Sequence, residues 1–260
     1  MNRWMIKAKH SFSMFRHFRS PALTFLVRLG FLKVDYCSYR LRKNGYSYGL
    51  LGRPLGGDHR IIREVLIDET YAPILPILPN KPLRALDIGA HIGSFMIWLS
   101  AHKTVGEAYC FEPEPDSFNL CRFNLAQQAN VQVIRTALGG KTRRSAIFID
   151  PAAHGRSTII EGMGRPANTQ AADTMILSLA DWMADRPNTW DLLKMDCEGA
   201  EWEILRACPE VFSRFSVIVA EIHHDPVEHR TSADFASAIQ ELGFKIVPNN
   251  RLFLAVKNST

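Results

Sequence analysis

The sequence predicts an α/β domain: a mostly parallel sheet with helices on both faces, closed by an antiparallel last strand and preceded by an N-terminal helical extension. Three observations carry this. From residue 83 onward, short apolar runs of strand length alternate with stretches of helical length. The connections between them are short, as in βαβ units. The chain has 260 residues of which 47% are hydrophobic, enough for one large α/β domain or two small ones.

Taken in order, residues 1–58 read as the extension and 59–260 as the main domain. Asn44 to Asp58 is a Gly-rich, mixed stretch, followed by a helix from about His59 to Thr70. Four prolines between Pro73 and Pro82 end that helix, and the alternating pattern starts only after them. Leu83 to Ile88, Ala108 to Phe111 and Val131 to Ile134 are strand runs, separated by helices over Ile92 to Ala101 and about Asp116 to Gln128. Residues 139–178 interrupt the alternation with Gly139-Gly140 and a polar loop from Pro151 to Ala172, read as hairpin or loop material at one rim, where substrate loops commonly lie. The pattern resumes with the strand Leu192 to Met195, a helix over Ala200 to Ala207, the strand Val217 to Ile222 and a helix over Ser232 to Leu242. Two short strands near Phe244 to Val247 and Leu252 to Val256 close the chain, and the brief turn between them makes them antiparallel.

Charge is unevenly distributed. Residues 1–43 hold ten Lys or Arg against the single acid Asp35, a charge of +9, and the rest of the chain carries −4 within a total of +5. No basic patch spreads over the fold, so a nucleic-acid partner is not expected. The leader also contains Trp4, Phe12, Phe15, Phe18, Phe25 and Phe31, which makes it a basic amphipathic segment. Its longest apolar run, Ala22 to Val27 interrupted by Thr24, is too short for a membrane span or a signal-peptide core. Residues 1–35 are read first as a helical cap packed on the domain and second as a peripheral contact with the inner face of a membrane, in a protein expected to be cytoplasmic. The five cysteines are odd in number, widely spaced and free of C-x-x-C pairs, which argues for free thiols over disulfides or zinc.

The strongest local signal is Leu86-Asp87-Ile88-Gly89-Ala90-His91-Ile92-Gly93-Ser94-Phe95, a strand running through an acid into a glycine turn and a helix. Gly89 allows a sharp turn and close backbone approach, and Gly93 allows the next helix to pack closely. Nineteen residues after Gly93 the next strand ends in Glu112, placed to accept hydrogen bonds from ribose hydroxyls. Together these read as a nucleoside-cofactor site. A dinucleotide loop wants glycine where His91 stands, so a pyrophosphate fits poorly and an NAD-dependent oxidoreductase is a weaker alternative.

Two further strand tips carry acids. Asp191-Leu192-Leu193-Lys194-Met195-Asp196-Cys197-Glu198-Gly199-Ala200-Glu201 ends in three carboxylates within six positions, costly unless paired, hydrated or used. Acids at a helix N-terminus explain Glu198 and Glu201 but not Asp196. Val217 to His224 ends in Glu221 and His223, which period-two alternation puts on one face.

Taken in order, D-I-G-A-H-I-G-S-F, F-E-P (Phe111 to Pro113), N-V-Q-V-I-R-T-A-L-G (Asn130 to Gly139), D-L-L-K-M-D-C-E-G-A-E and I-V-A-E-I-H resemble the FkbM family of S-adenosyl-L-methionine (SAM)-dependent O-methyltransferases over about residues 60–256. The resemblance implies a Rossmann-like class I methyltransferase fold with a seven-stranded sheet, and methyl transfer to a hydroxyl of a sugar, glycolipid or polyketide. By matching motif, Asp87, Gly89 and Gly93 would line the cofactor's amino-acid end, Glu112 would hold the ribose and Asp196 would lie near the methyl group, and His91 of the same turn is counted among the cofactor-binding residues. The chemistry then needs a hydroxyl aligned with the methyl and relieved of its proton. His223 is the preferred base, oriented by Glu221, with Asp196 second. A divalent metal on some of Asp196, Glu198, Glu201, Glu221 and His223 is the alternative, ranked behind metal-free base catalysis. The expected acceptor is a hydroxyl-bearing small molecule or glycan, with a carbohydrate first. A nucleic-acid methyltransferase and a non-catalytic binding subunit are the remaining readings.

Overall fold

The computed structural model describes residues 34–150, 154–159, 169–225 and 227–258. The aromatic, basic leader over 1–33 lies outside the described residues, and with it the expected helical cap and membrane contact. Most of the polar loop expected over 151–172 also lies outside them.

The chain from residue 37 departs from the expected mixed stretch. Strands β1 (Cys37–Lys43) and β2 (Tyr46–Gly52) form an antiparallel hairpin in full register from Cys37↔Gly52 to Lys43↔Tyr46. Its two-residue turn is Asn44-Gly45, both with positive φ, the geometry that matches the right-handed twist of the flanking strands. Cys37, Tyr39 and Leu41 point inward and Ser38, Arg40 and Arg42 outward, so charges that read as leader form the solvent face of a strand. Tyr39, Leu41, Tyr48 and Leu50 share one apolar cluster with Leu83 and Ala85 of the main sheet, so a division at 58/59 passes between parts of one packed core.

Helix α1 (Asp58–Ile62) continues into a π-helical turn over Arg63–Ile67, and a short 3₁₀ turn at Ala72–Ile74 leads through the prolines. The alternating part follows as β3 (Leu83–Ile88), α2 (Ser94–His102), β4 (Val105–Phe111), α3 (Pro115–Asn124) and β5 (Val131–Ile134). Residues 137–178 hold more regular structure than the sequence suggested. Strands β6 (Ala137–Gly139), β7 (Arg143–Ile149) and β8 (Gln170–Ser178) form a separate three-stranded sheet, in which β8 pairs antiparallel with β7 and parallel with β6. Then come α4 (Leu179–Met183), β9 (Trp190–Met195), α5 (Ala200–Ala207), β10 (Phe215–Ala220), α6 (Ser232–Glu241), β11 (Phe244–Ile246) and β12 (Phe253–Lys257).

The seven-stranded sheet has the order β11-β12-β10-β9-β3-β4-β5, with β12 antiparallel to both neighbours and the remaining pairs parallel. This is the Rossmann-like, mostly parallel seven-stranded sheet that the family resemblance implies. Successive residues of its central strands face opposite apolar layers. Leu83, Ala85, Leu192, Val217 and Val219 meet the layer of the hairpin and α2, whereas Leu86, Ile88, Leu193, Met195 and Ile218 meet the layer of α5 and α6. Among the described residues, no helix is long and apolar enough to cross a membrane.

Candidate active site

Parallel pairing brings four strand ends to one edge. Ile88 is in register with Phe111 and with Met195, and Met195 with Ala220, so the next residues, Gly89, Glu112, Asp196 and Glu221, emerge side by side. Backbone bonds continue the ladder past the strands: Gly89 N donates to Phe111 O at 3.0 Å, Asp196 N to Ile88 O at 3.0 Å and Glu221 N to Met195 O at 3.0 Å. A cavity opens there, lined by Gly89, His91, Ser94, Glu112, Asp196, Glu198 and Glu221, with Glu64 and Tyr71 from the preceding segment and His154, Gly155 and Ser157 from the three-stranded insert. Such a crevice at the carboxyl ends of parallel strands is where ligands bind in open α/β sheets.

Gly89 has φ +79°, and a Cβ there would lie 1.8 Å from the Asp196 carbonyl oxygen, so only glycine permits this approach of two strand tips. Gly93 has φ +83° and packs on Leu125 and Cys121, which seats α2 against α3 without reaching the cavity. Asp87 is also placed differently from the motif expectation. It is fully buried in register with Lys194, whose Nζ lies 2.9 Å from its Oδ1 and donates to Gly89 O at 2.6 Å. Burial raises the Asp87 carboxyl against the opposing pull of Lys194, while at Lys194 burial is outweighed by Asp87, Tyr71 and Asp196 together, which push that ammonium up. Asp87 thus anchors the turn from behind the cavity wall.

Glu112 is buried and accepts backbone N–H bonds from His91 at 2.7 Å and Glu114 at 2.9 Å. Burial raises its carboxyl above the ordinary range. His91 has φ +51°, and its ring turns away from Glu112 toward Asp58 Oδ1 at 3.2 Å. Glu198, with φ +52°, is the second non-glycine residue of the cavity wall in the left-handed region.

The acids around His223 are arranged differently from the expected Glu221–His223 pair. The ring Nδ1 lies 3.2 Å from Glu201 Oε1, and Nε2 lies 3.5 Å from Glu198 Oε2 but 4.0 Å from Glu221 Oε1. Strand β10 ends at Ala220, so period-two alternation does not govern residues 221–223 and the imidazole swings toward α5. Glu201 is the orienting carboxylate. It is fully buried, and it also accepts from Cys197 N at 2.9 Å and Gly199 N at 2.8 Å, closing the turn into α5. His223 and these backbone bonds hold Glu201 below the ordinary carboxylate range despite burial. For His223, burial works downward, but Glu201 first, then Glu198 and Asp196, push it up to about 10. Glu198 is pushed up to about 7 by burial and its acidic neighbours. One ligand atom each from Asp196, Glu221 and His223 lie within 4.8 Å of one another, a group able to hold a cation.

Residues that the motifs did not signal, Arg53 and His154 among them, meet at the His91 end of the cavity. Arg53, just past β2, is buried and reaches Asp58, Glu114, Ser117 and His91. Glu114 itself caps α3 through Asp116 N and Ser117 N, and faces His154 Nδ1 at 3.5 Å. An acid before Pro115 at a helix start is a readable cap signal; nothing around Arg53 or His154 marks them.

Residues 87–246 match the methyltransferase FkbM domain. Methyltransferase 1 of Beauveria bassiana is 25% identical over 209 residues, covering 72% of this chain and 80% of that protein. The hexuronic acid methyltransferase AglP of Haloferax volcanii is 25% identical over 174 residues, covering 66% of this chain and 64% of that one. The crystal structure of methyltransferase FkbM from Methylobacillus flagellatus is 16% identical, with a TM-score of 0.45 over 67% of this chain and 43% of that chain. The domain match takes in the glycine turn, Glu112, the Asp196 to Glu201 acids and Glu221. This chain is a methyltransferase and belongs to the FkbM family.

Proposed function

We propose that the protein transfers a methyl group from SAM to a hydroxyl of a carbohydrate, on an oligosaccharide, glycolipid or surface glycan. The observation that carries the reading is that Glu112, suited to a ribose, and the Asp196–Glu221–His223 cluster, suited to proton removal, line or flank one cavity at adjacent strand tips. The residues fit SAM. Glu112 keeps lone pairs beyond its two backbone bonds, and the buried Ser94 hydroxyl, on the first turn of α2 at the cavity wall, has no protein partner among the described residues. A donor at a helix N-terminus suits the carboxylate of the amino-acid tail. When bound, SAM supplies an electrophilic methyl on a sulfonium. The chain orients the acceptor oxygen beside Asp196 and takes up its proton at the acid cluster. The AglP relative, named for a hexuronic acid, supports a sugar as the acceptor class.

Two routes for the proton are distinguishable. In the first, neutral His223 or Asp196 accepts it directly. In the second, a divalent cation on Asp196, Glu221 and His223 acidifies the hydroxyl. Geometry serves both routes: the His223 ring is oriented by Glu201 at 3.2 Å, as a base requires, and one ligand atom each from Asp196, Glu221 and His223 lie within 4.8 Å of one another. Purified protein with labelled SAM and a panel of glycans, polyketides, RNA and protein tests the function. O-methylation of a glycan is expected, and methylation of RNA or protein with none of the glycans would overturn the reading. Activity surviving EDTA selects the direct route; loss on EDTA with recovery in Mg²⁺ selects the cation.

A further inference from the structure

Arg53 and Asp58 precede the FkbM domain match, which begins at residue 87, and the buried cluster they form with His91, Glu114, Ser117 and His154 draws five chain segments together. Arg53 sits past the end of the hairpin. Its backbone N and Nε donate to Asp58 Oδ2 at 2.7 and 3.1 Å, and its Nη2 reaches Asp58 Oδ1 at 3.2 Å, at the start of α1. The same Nη2 donates to Ser117 Oγ at 2.8 Å and lies 3.3 Å from His91 Nε2, in the glycine turn. Nη1 donates to Glu114 Oε2 at 3.1 Å, past the end of β4. Glu114 in turn faces His154 of the insert, whose backbone N donates to Gly56 O at 3.1 Å. Gly56 is held so close that a Cβ would lie 2.9 Å from the His154 ring.

The consequence for the cavity runs through Glu112. Its carboxylate is fixed by two backbone N–H groups, those of His91 and Glu114, and these are two residues whose side chains Arg53 contacts. His91 and His154 themselves line the cavity beside Glu112. A buried ionic network of this kind contributes little net stability compared with well-packed apolar residues, whereas its fork geometry fixes the relative position of the groups it joins.

We propose that Arg53 is a positioning residue for the nucleoside end of the cofactor site, holding His91 and Glu114 so that Glu112 receives the ribose and holding, through Glu114, the His154 turn beside it. The proposal rests on the SAM reading above. Nothing in it requires Arg53 to touch the cofactor.

The test is calorimetry of S-adenosylhomocysteine, with adenosine as a competing nucleoside, on full-length protein carrying Arg53→Met, Arg53→Lys or His154→Ala, alongside thermal melts. Arg53→Met is expected to weaken both ligands by the same factor, roughly tenfold, the loss of about one buried hydrogen bond at Glu112. Arg53→Lys recovers part of that factor, since an ammonium can meet one carboxylate but not the fork of Asp58 and Glu114. His154→Ala leaves Arg53 in place and carries the test if Arg53→Met does not fold; a loss of roughly threefold or more in both ligands is expected. Wild-type affinity in a folded Arg53→Met protein, or in His154→Ala, overturns the proposal. So does a loss for S-adenosylhomocysteine with adenosine unchanged, which would put the effect at the amino-acid end. A wild-type protein that binds neither ligand overturns the SAM reading itself, and the positioning role with it.

Discussion

Removing the His223 imidazole, as His223→Ala, is expected to leave S-adenosylhomocysteine binding near wild type while lowering kcat by roughly 10²–10⁴, the range for a lost acid–base group. Near-wild-type turnover by that variant would remove His223 from the chemistry on either proton route. The residues of this cluster were legible as types and positions, because three acids after an apolar strand have few structural uses. Their pairing was not. Which carboxylate faces the ring depends on where β10 stops, and Glu201 captures Nδ1 from a helix 22 residues away in sequence. A second residue-scale expectation concerns Asp58. Burial works to raise its carboxyl, but His91 and Arg53 outweigh that and bring it from 3.8 down to about 2. A depressed carboxylate stabilises the fold above its unfolded value and loses that contribution as pH falls through the folded one. Unfolding free energies of wild type and Asp58→Asn from urea titrations should therefore converge by about 2 kcal/mol between pH 4 and pH 2. A gap that stays constant over that window would show that Asp58 contributes no titrating charge to the fold.

Among the elements, the glycine turn after β3 is the one whose chemistry and geometry coincide most closely. Gly89→Ala combines a left-handed backbone with a clash against the Asp196 carbonyl, a backbone atom that cannot rotate away. It is expected to cost more than about 3 kcal/mol and to abolish S-adenosylhomocysteine binding. Gly45→Ala, also left-handed but with nothing within 4 Å of its Cβ, should cost only about 1 kcal/mol and leave binding unchanged. Equal losses of stability in the two would mean that backbone strain alone, and not the approach of β9, makes glycine necessary at 89. The central parallel strands β9 and β10 were readable because they are buried on both faces and carry short apolar runs, Leu192-Leu193 and Val217 to Ala220. The hairpin was hidden for the opposite reason. Its outward face carries Arg40 and Arg42, which merged with the basic leader, although the inward Cys37, Tyr39 and Leu41 and the Asn44-Gly45 turn were present as signals. The π-helical turn over Arg63–Ile67 has no comparable sequence mark, since its residues would equally suit an ordinary helix.

On the scale of the whole molecule, the charge division between leader and body coincides only partly with the structural one. The first described strand, β1, starts at Cys37, so Arg40, Arg42 and Lys43 belong to the packed domain and the other seven basic residues of the leader precede it. A protein spanning 34–260 is expected to melt as the full chain does and to bind S-adenosylhomocysteine equally well. One spanning 53–260 loses Tyr39, Leu41, Tyr48 and Leu50 from the core shared with β3 and α2. Large-to-small losses of that kind cost about 2–5 kcal/mol per residue against a net stability of about 5–15 kcal/mol, so this shorter chain should not fold. Circular dichroism melts of the two truncations decide the point, and a folded 53–260 would make the hairpin an appendage. The same 34–260 protein separates the two readings of the leader. If residues 1–33 contact anionic lipid, full-length protein sediments with acidic vesicles at low ionic strength and is released as salt screens the attraction, while 34–260 stays in solution. Equal sedimentation of both would assign the attraction to the exposed Arg40 and Arg42 face of the hairpin, and loss of stability on removing 1–33 would identify the leader as a packed cap.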